Sequence, residues 1–256
     1  MNILVVNDDG IESQGIKALV ESLASVADVF VCAPDGQRSA KSQAITIRET
    51  VYVREVEYPG AKGALITSGT PADCTKIGLQ FFEEEGNKID MVYTGINMGS
   101  NLGLDTLYSG TVGAAMEAAI TGVQAVAVSV DSHEATHYDL AQQLAVDVIG
   151  KVYGVLTPST IININVPDLP REEVKGIRYT TLFGERYYND SFKSVDESSE
   201  AGSGYQLSGE PAEFTTSTDD YDLPLSVQGW ATITPLKYDY TDYEMMNAIK
   251  GWNLNI

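Results

Sequence analysis

Positive charge is scarce in this chain: 16 lysines and arginines stand against 36 aspartates and glutamates, a formal net charge of -20 over 256 residues. Proteins grip nucleic-acid polymers and anionic membranes by neutralising phosphates with a basic face, so neither is expected as a partner. Histidine is nearly absent, with only His133 and His137. None follows His137 to complete a hydrolase triad in the order Ser, Asp or Glu, His, and there is no G-x-S-x-G, no Walker loop and no G-x-G-x-x-G. Serine hydrolysis and dinucleotide binding therefore drop out. The two cysteines, Cys32 and Cys74, lie within apolar segments and read as small core residues. No run approaches the roughly 18 apolar residues of a membrane span, and no basic-then-apolar leader is seen at the start. A cytoplasmic protein is expected.

What is present is concentrated at the beginning. Ile3-Leu4-Val5-Val6 reads as a strand buried on both faces, and it runs straight into Asn7-Asp8-Asp9-Gly10. In open α/β sheets, ligands bind beyond the carboxyl ends of the strands, which is where Asp8 and Asp9 would stand side by side. Two adjacent hard oxygen donors suit Mg²⁺ or Mn²⁺ better than zinc. An acidic pair before glycine also makes a turn and caps the next helix; the pair alone does not separate the two readings.

The chain then alternates strand and helix. Ile16, Leu19, Val20 and Leu23 keep helical spacing, and Val29-Phe30-Val31-Cys32 is a second strand. A right-handed crossover brings the following loop, Ala33 to Ser42, to the same sheet edge as the acidic pair. Its hydroxyls and bases read either as a metal or phosphate loop or as a surface connection. Ile45-Thr46-Ile47 and Val51-Tyr52-Val53 predict extra strands beside the main sheet. In Gly69-Thr70-Pro71-Ala72-Asp73, Thr70 is placed to cap a helix, with Pro71 first inside it and Asp73 in its first turn. Asp90 to Thr94 predict a strand, and beyond it Asn97 offers a neutral carbonyl oxygen. Ser109-Gly110-Thr111 open a helix of small residues, whose unpaired amides can bind an anion or be capped by Ser109 or Thr111. A strand at Ala125–Val130, a helix at Tyr138–Val155 and a strand at Ile161–Val166 complete a doubly wound α/β sandwich. Residues 184 to 224 read as hairpins, followed by a last strand over Val227–Thr234 and a helix over Asp242–Ile249.

His133-Glu134-Ala135-Thr136-His137 matches the H-E-x-x-H zinc signature, but it follows a strand end and lacks a third histidine. A solvated loop is expected there. A receiver-type metal- or nucleotide-sensing module also opens with a strand ending in acids. It would need a later phosphoacceptor aspartate, which Val51 to Arg54 and its neighbours do not offer.

Asn7-Asp8-Asp9-Gly10, Ala33-Pro34-Asp35 to Arg38-Ser39, Gly69 to Cys74, Gly95-Ile96-Asn97, Asn101-Leu102-Gly103 and Tyr108-Ser109-Gly110-Thr111 occur together and in this order. With these six motifs the chain resembles the SurE family of 5'/3'-nucleotidases, the stationary-phase survival proteins. The likeness runs from Met1 to about Gly176, includes Ile164-Asn165-Val166-Pro167, and thins over the tail. It implies a Rossmann-like three-layer α/β/α core with a mostly parallel sheet. It also implies one divalent metal held by Asp8, Asp9, Ser39 and Asn97, and homodimers or tetramers that exchange carboxy-terminal segments. The implied activity is hydrolysis of nucleoside monophosphates at the 5' or 3' position, and of short polyphosphate. The expected division is a phosphatase core over residues 1–178 and an extension of hairpins, strand and helix over 179–256. Asp8, Asp9 and Asn97 are the expected catalytic residues, and Asn101, Ser109, Gly110, Thr111, Ser42 and Arg38 the expected phosphate contacts. Two departures stand out. Family members often carry arginine where Gly36 stands and glycine where Ala40 stands, so substrate preference is where this chain is expected to differ.

Overall fold

Ile3, Leu4, Val5 and Val6 are completely buried within β1 (Asn2–Val6), as a strand covered on both faces requires. Ser13 caps α1 (Gln14–Leu23), which lays Ile16, Leu19, Val20 and Leu23 against the sheet. The chain returns as β2 (Asp28–Pro34), parallel to β1. β3 (Val53–Val56) and β4 (Gly63–Thr67) follow. Next come α2 (Pro71–Glu84), β5 (Met91–Met98), α3 (Gly110–Ile120) and β6 (Gln124–Asp131). Two short helices, α4 (Asp139–Asp147) and α5 (Ile149–Val152), lead into β7 (Thr160–Pro167). The remainder is β8 (Ile177–Tyr179), a long hairpin of β9 (Tyr188–Ser199) and β10 (Gly202–Pro211), α6 (Asp222–Val227), β11 (Ala231–Lys237) and α7 (Tyr243–Ile249). This computed structural model describes residues 1–199, 202–212 and 220–252. The parts of the expected extension at 200–201, 213–219 and 253–256 lie outside the described residues.

Nine strands form one sheet in the order β3-β4-β2-β1-β5-β6-β7-β11-β8, parallel except where β3 meets β4 and β11 meets β7. Alternate side chains of β1 feed two separate cores. Ile3 and Val5 pack with α1 and α4, while Leu4 and Val6 pack with α2 and α3. From β1 the chain first builds outward through β2 and then, after α2, returns to β1's other side as β5. The strand order thus reverses between β1 and β5, and a crevice opens there at the carboxyl ends.

The sequence reading needs correction in five places. Ile45-Thr46-Ile47 is not a strand: the Thr46 amide and hydroxyl are both taken by Asp73, and Ile47 is exposed. Of Val51-Tyr52-Val53, only Val53 enters β3. The single helix expected over Tyr138–Val155 is split into α4 and α5, in a stretch where Val146, Val148, Ile149 and Gly150 weaken helix propensity. α6 was not anticipated at all, and the last strand begins at Ala231 and not Val227. Both cysteines are buried and free, and among the described residues no helix is long and apolar enough to cross a membrane.

Candidate active site

The crevice between β1 and β5 gathers the acidic pair, Asn97 and the start of α3. Pairing of Val6 with Thr94 sets β1 and β5 in register, and Asp9 accepts a hydrogen bond from the Met98 amide at 3.1 Å. β5 runs further than its apolar core predicts, so Asn97 is carried at the strand's end next to the acids. Asn97 Nδ2 donates to the Gly99 carbonyl at 2.7 Å. That bond fixes the amide's rotation and leaves Oδ1 facing the crevice, 3.4 Å from the Thr111 hydroxyl. The same hydroxyl donates to Asp8 Oδ1 at 2.6 Å. The Thr111 hydroxyl thus links Asp8 to Asn97, and the Met98 amide holds Asp9 at the same end of β5.

The α3 amino terminus closes the crevice from the side. Ser109 caps the helix by accepting from the Val112 amide at 3.0 Å. Gly110 lies so near Asp8 that a Cβ there would fall 2.8 Å from Oδ2. Only a residue without a side chain lets the helix end approach the carboxylate this closely. The loop bearing Arg38, Ser39 and Ser42 is tied down at four points. The Arg38 amide donates to the Asp8 carbonyl at 2.6 Å, and the Ser42 amide to the Tyr108 carbonyl at 2.9 Å. The Thr70 hydroxyl donates to the Ala44 carbonyl at 2.6 Å, and Thr46 is held by Asp73. Asp73 completes a capping box with Thr70. Burial alone would raise its carboxyl, but the bonds from Thr46 and Thr70 outweigh that and hold it below the usual range. Ser39 itself is exposed and follows the Arg38 amide that anchors on Asp8.

Not every expected phosphate contact presents its side chain to the crevice. The Ser42 hydroxyl donates to the Leu107 carbonyl, and Arg38 pairs with Asp35 at 2.8 Å. Asn101 is the most constrained. Its amide donates to Asn165 Oδ1, its side chain to Ser129, and its carbonyl accepts from both Asn163 and Asn165. It pins the loop to β6 and β7.

The electrostatics of the acidic pair are unusual. Burial lifts the Asp8 carboxyl to about 6; the neighbouring Asp9 charge adds to the rise and the Thr111 bond opposes it. Asp9 is also raised, again by burial first, with the Met98 amide and the charge of His133 pulling the other way. Among the described residues no lysine or arginine forms an ion pair with either. Two crowded carboxylates and an oriented amide oxygen are hard oxygen donors of the kind a small divalent cation takes. That set contains only two acids, which agrees with the absence, among the described residues, of any cluster of three acidic, histidine or cysteine side chains fit for a metal.

Several residues near the crevice were not found from the sequence. Asp222 in α6 accepts from the amides of Gly103, Phe183 and Leu223, tying the tail to the loop before α3. Arg186 bridges Asp105 and Asp190 at the base of the hairpin. His133, distant in sequence from the acidic pair, stands over Gly99, and its charge reaches Asp9. His137 turns away, with Nδ1 3.0 Å from Asp168. The H-E-x-x-H segment forms no helix, so its two imidazoles do not converge.

Comparison with known proteins shows the family. The family model described as Survival protein SurE matches residues 3–190. A protein named 5'-nucleotidase SurE from Pelotomaculum thermopropionicum is 38% identical over 98% of this chain and 94% of its own length. Another of the same name, from Symbiobacterium thermophilum, is 39% identical with 98% of both chains covered. The crystal structure of the SurE protein from Aquifex aeolicus superposes with a TM-score of 0.82 at 35% identity, covering 98% of each chain. On the family model, the relatives and the shared fold together, this chain belongs to the SurE family.

Proposed function

We propose that the chain is a divalent-metal-dependent phosphomonoesterase that hydrolyses nucleoside 5'- and 3'-monophosphates to nucleoside and phosphate, and short polyphosphate as a further substrate. Membership of a family whose relatives carry the name 5'-nucleotidase supports the substrate class. The observation that carries the metal is the crowding of Asp8 and Asp9, both with raised carboxyls, around an Asn97 oxygen whose direction is fixed by Gly99. Asp8, Asp9, Ser39 and Asn97 would hold Mg²⁺ or Mn²⁺. When bound, such an ion neutralises charge on the phosphoryl oxygens and makes the attacking water more acidic.

The remaining work falls to the chain itself. Thr111 orients Asp8 by its hydroxyl. At the α3 amino end the Ser109 amide is taken by the Thr106 carbonyl, so the Gly110 and Thr111 amides supply the hydrogens, with a favourable dipole, to a phosphate entering the crevice. Asn101 acts by holding its loop in place, and Ser42 by holding the Ser39 loop against Tyr108. Arg38 is neutralised by its pair with Asp35 and would contribute its charge to a phosphate only by leaving that pair. Self-association as a homodimer or tetramer is part of the same reading, supported by the exposed Tyr243, Met245, Met246 and Trp252 of the tail. So is a division between core and extension near residue 178, and a cytoplasmic location. Phosphate release from AMP, 3'-AMP and polyphosphate, with Mg²⁺ or Mn²⁺ supplied, tests the function. Binding of these compounds without turnover would make the chain a sensing module instead.

A further inference from the structure

The H-E-x-x-H segment is not spent on zinc, yet one of its histidines sits at the crevice. Gly99 donates its amide to the Val130 carbonyl at 2.9 Å, which brings the end of β5 under the loop that follows β6. A Cβ on Gly99 would fall 2.9 Å from His133 Cε1, 3.1 Å from its Nδ1 and 3.8 Å from Asn97 Nδ2. The imidazole thus occupies the space a side chain at 99 would need, on the Asn97 side of the crevice. Gly99 also has φ +114, a conformation that favours glycine. His133 is exposed and, among the described residues, forms no hydrogen bond or ion pair; its Nδ1 edge lies against Gly99, which leaves Nε2 open to a ligand. Asp131, at the end of β6, is half-buried two residues before His133; burial raises its carboxyl, and Ser100, the charge of His133 and Ser226 pull the other way. His133 lies near enough to Asp9 and Asp131 for both carboxylates to feel its charge.

Such a lip is ill suited to phosphate, because the two carboxylates repel it. A group that both donates and accepts hydrogen bonds fits better, and a sugar diol does so: its hydroxyl hydrogens meet carboxylate oxygens and its oxygens meet an imidazole N–H. We propose that His133 and Asp131 form the sugar subsite of this crevice, holding the ribose hydroxyls of the nucleoside while the α3 end holds the phosphate. This rests on the nucleotidase reading given above. His133 is then a residue for recognising the nucleoside and not for cleaving the ester.

Two histidines in the whole chain make the test simple, because the proton spectrum carries two imidazole Hε1 resonances and His137→Ala assigns them. Adenosine added to the EDTA-treated protein is expected to shift the His133 resonance and leave that of His137 in place. The dideoxy compound 2',3'-dideoxyadenosine, which has the base but not the diol, is expected to shift neither. In turnover, His133→Ala should raise KM for AMP about tenfold, the worth of one hydrogen bond. With Mn²⁺ saturating, so that the loss of the His133 charge beside Asp9 does not limit metal occupancy, its kcat for AMP and both constants for p-nitrophenyl phosphate should stay within about twofold on the same argument. His133→Gln, which keeps a donor, should recover part of the loss. Equal shifts with both nucleosides, no shift with either, or an equal loss on p-nitrophenyl phosphate overturns the sugar subsite. Phosphate release from AMP without a His133 shift removes this inference alone. A selective shift in a protein that releases no phosphate removes the nucleotidase reading and leaves the sugar subsite standing.

Discussion

Replacing Asp8 by asparagine should make the metal-free protein more stable while removing its metal site. The folded state lifts the Asp8 carboxyl from 3.8 to about 6, chiefly by burial. A raised carboxyl means that the folded chain holds the proton more tightly than the unfolded one, so ionising Asp8 weakens the fold. The penalty is absent below the unfolded value, grows as pH rises, and is complete above the folded value. At about 1.36 kcal/mol per pK unit the full penalty is roughly 3 kcal/mol. Asp8 is only 4% exposed, so solvent screening takes little of this away. Asparagine keeps the shape and can still accept from Thr111, but carries no charge. In excess EDTA at pH 8, Asp8→Asn should therefore melt higher by about 6–12 °C, at 2–4 °C per kcal/mol for a chain of this size. The gain should shrink toward zero as pH falls to about 4. Saturating Mn²⁺ should reverse the order, since only the wild type gains binding energy from it. Thermal melts followed by circular dichroism at the two pH values, with EDTA or Mn²⁺, measure all of this. A variant less stable than wild type at pH 8 in EDTA, or a difference independent of pH, refutes the reasoning.

The remaining predictions concern the parts around Asp8. Thr111→Val removes the bond that opposes the rise in the Asp8 carboxyl; divalent affinity should fall roughly 10- to 100-fold, and the pH below which Mn²⁺ binding weakens, about 6 in the wild type, should move upward in a calorimetric titration. Gly110→Ala places a methyl 2.8 Å from Asp8 Oδ2, so AMP turnover should drop sharply while the far-ultraviolet dichroism spectrum is preserved. Ala40 holds φ 55 in the Ser39 loop; Ala40→Gly should raise stability by about 1 kcal/mol in urea denaturation by relieving that conformation, and no gain would show that the loop is not strained there.

How far the sequence carried depended on whether a feature was local. Ile3 to Val6 and the Ile16–Leu23 stripe announce their strand and helix because one face or both must be buried, and the structure follows them. Thr70-Pro71-Asp73 foretells a capped helix for the same reason: its partners are three residues away. Ile45-Thr46-Ile47 misleads because its β-branched pattern is overruled by Asp73, 27 residues distant along the chain. Asn97 is legible as an oxygen donor, but the bond to Gly99 that aims it is not. Asn101 and Ser42 carry the expected motifs, yet their polar groups are taken by Asn165, Ser129 and Leu107, contacts between distant segments that no spacing reveals. His133 was set aside with the zinc signature because nothing in the order of residues shows that the β6 loop folds over Gly99.

The account turns on whether oxygens from three separate segments surround one cation at the β1–β5 crevice. Anomalous diffraction from a crystal soaked in Mn²⁺ measures this directly. A single strong peak in contact with Asp8, Asp9 and Asn97, with Ser39 at its edge, is the expected result, and it should vanish in Asp8→Asn. A saturating soak that leaves the crevice without a peak, or places the ion beside His137 and Asp168 instead, contradicts it.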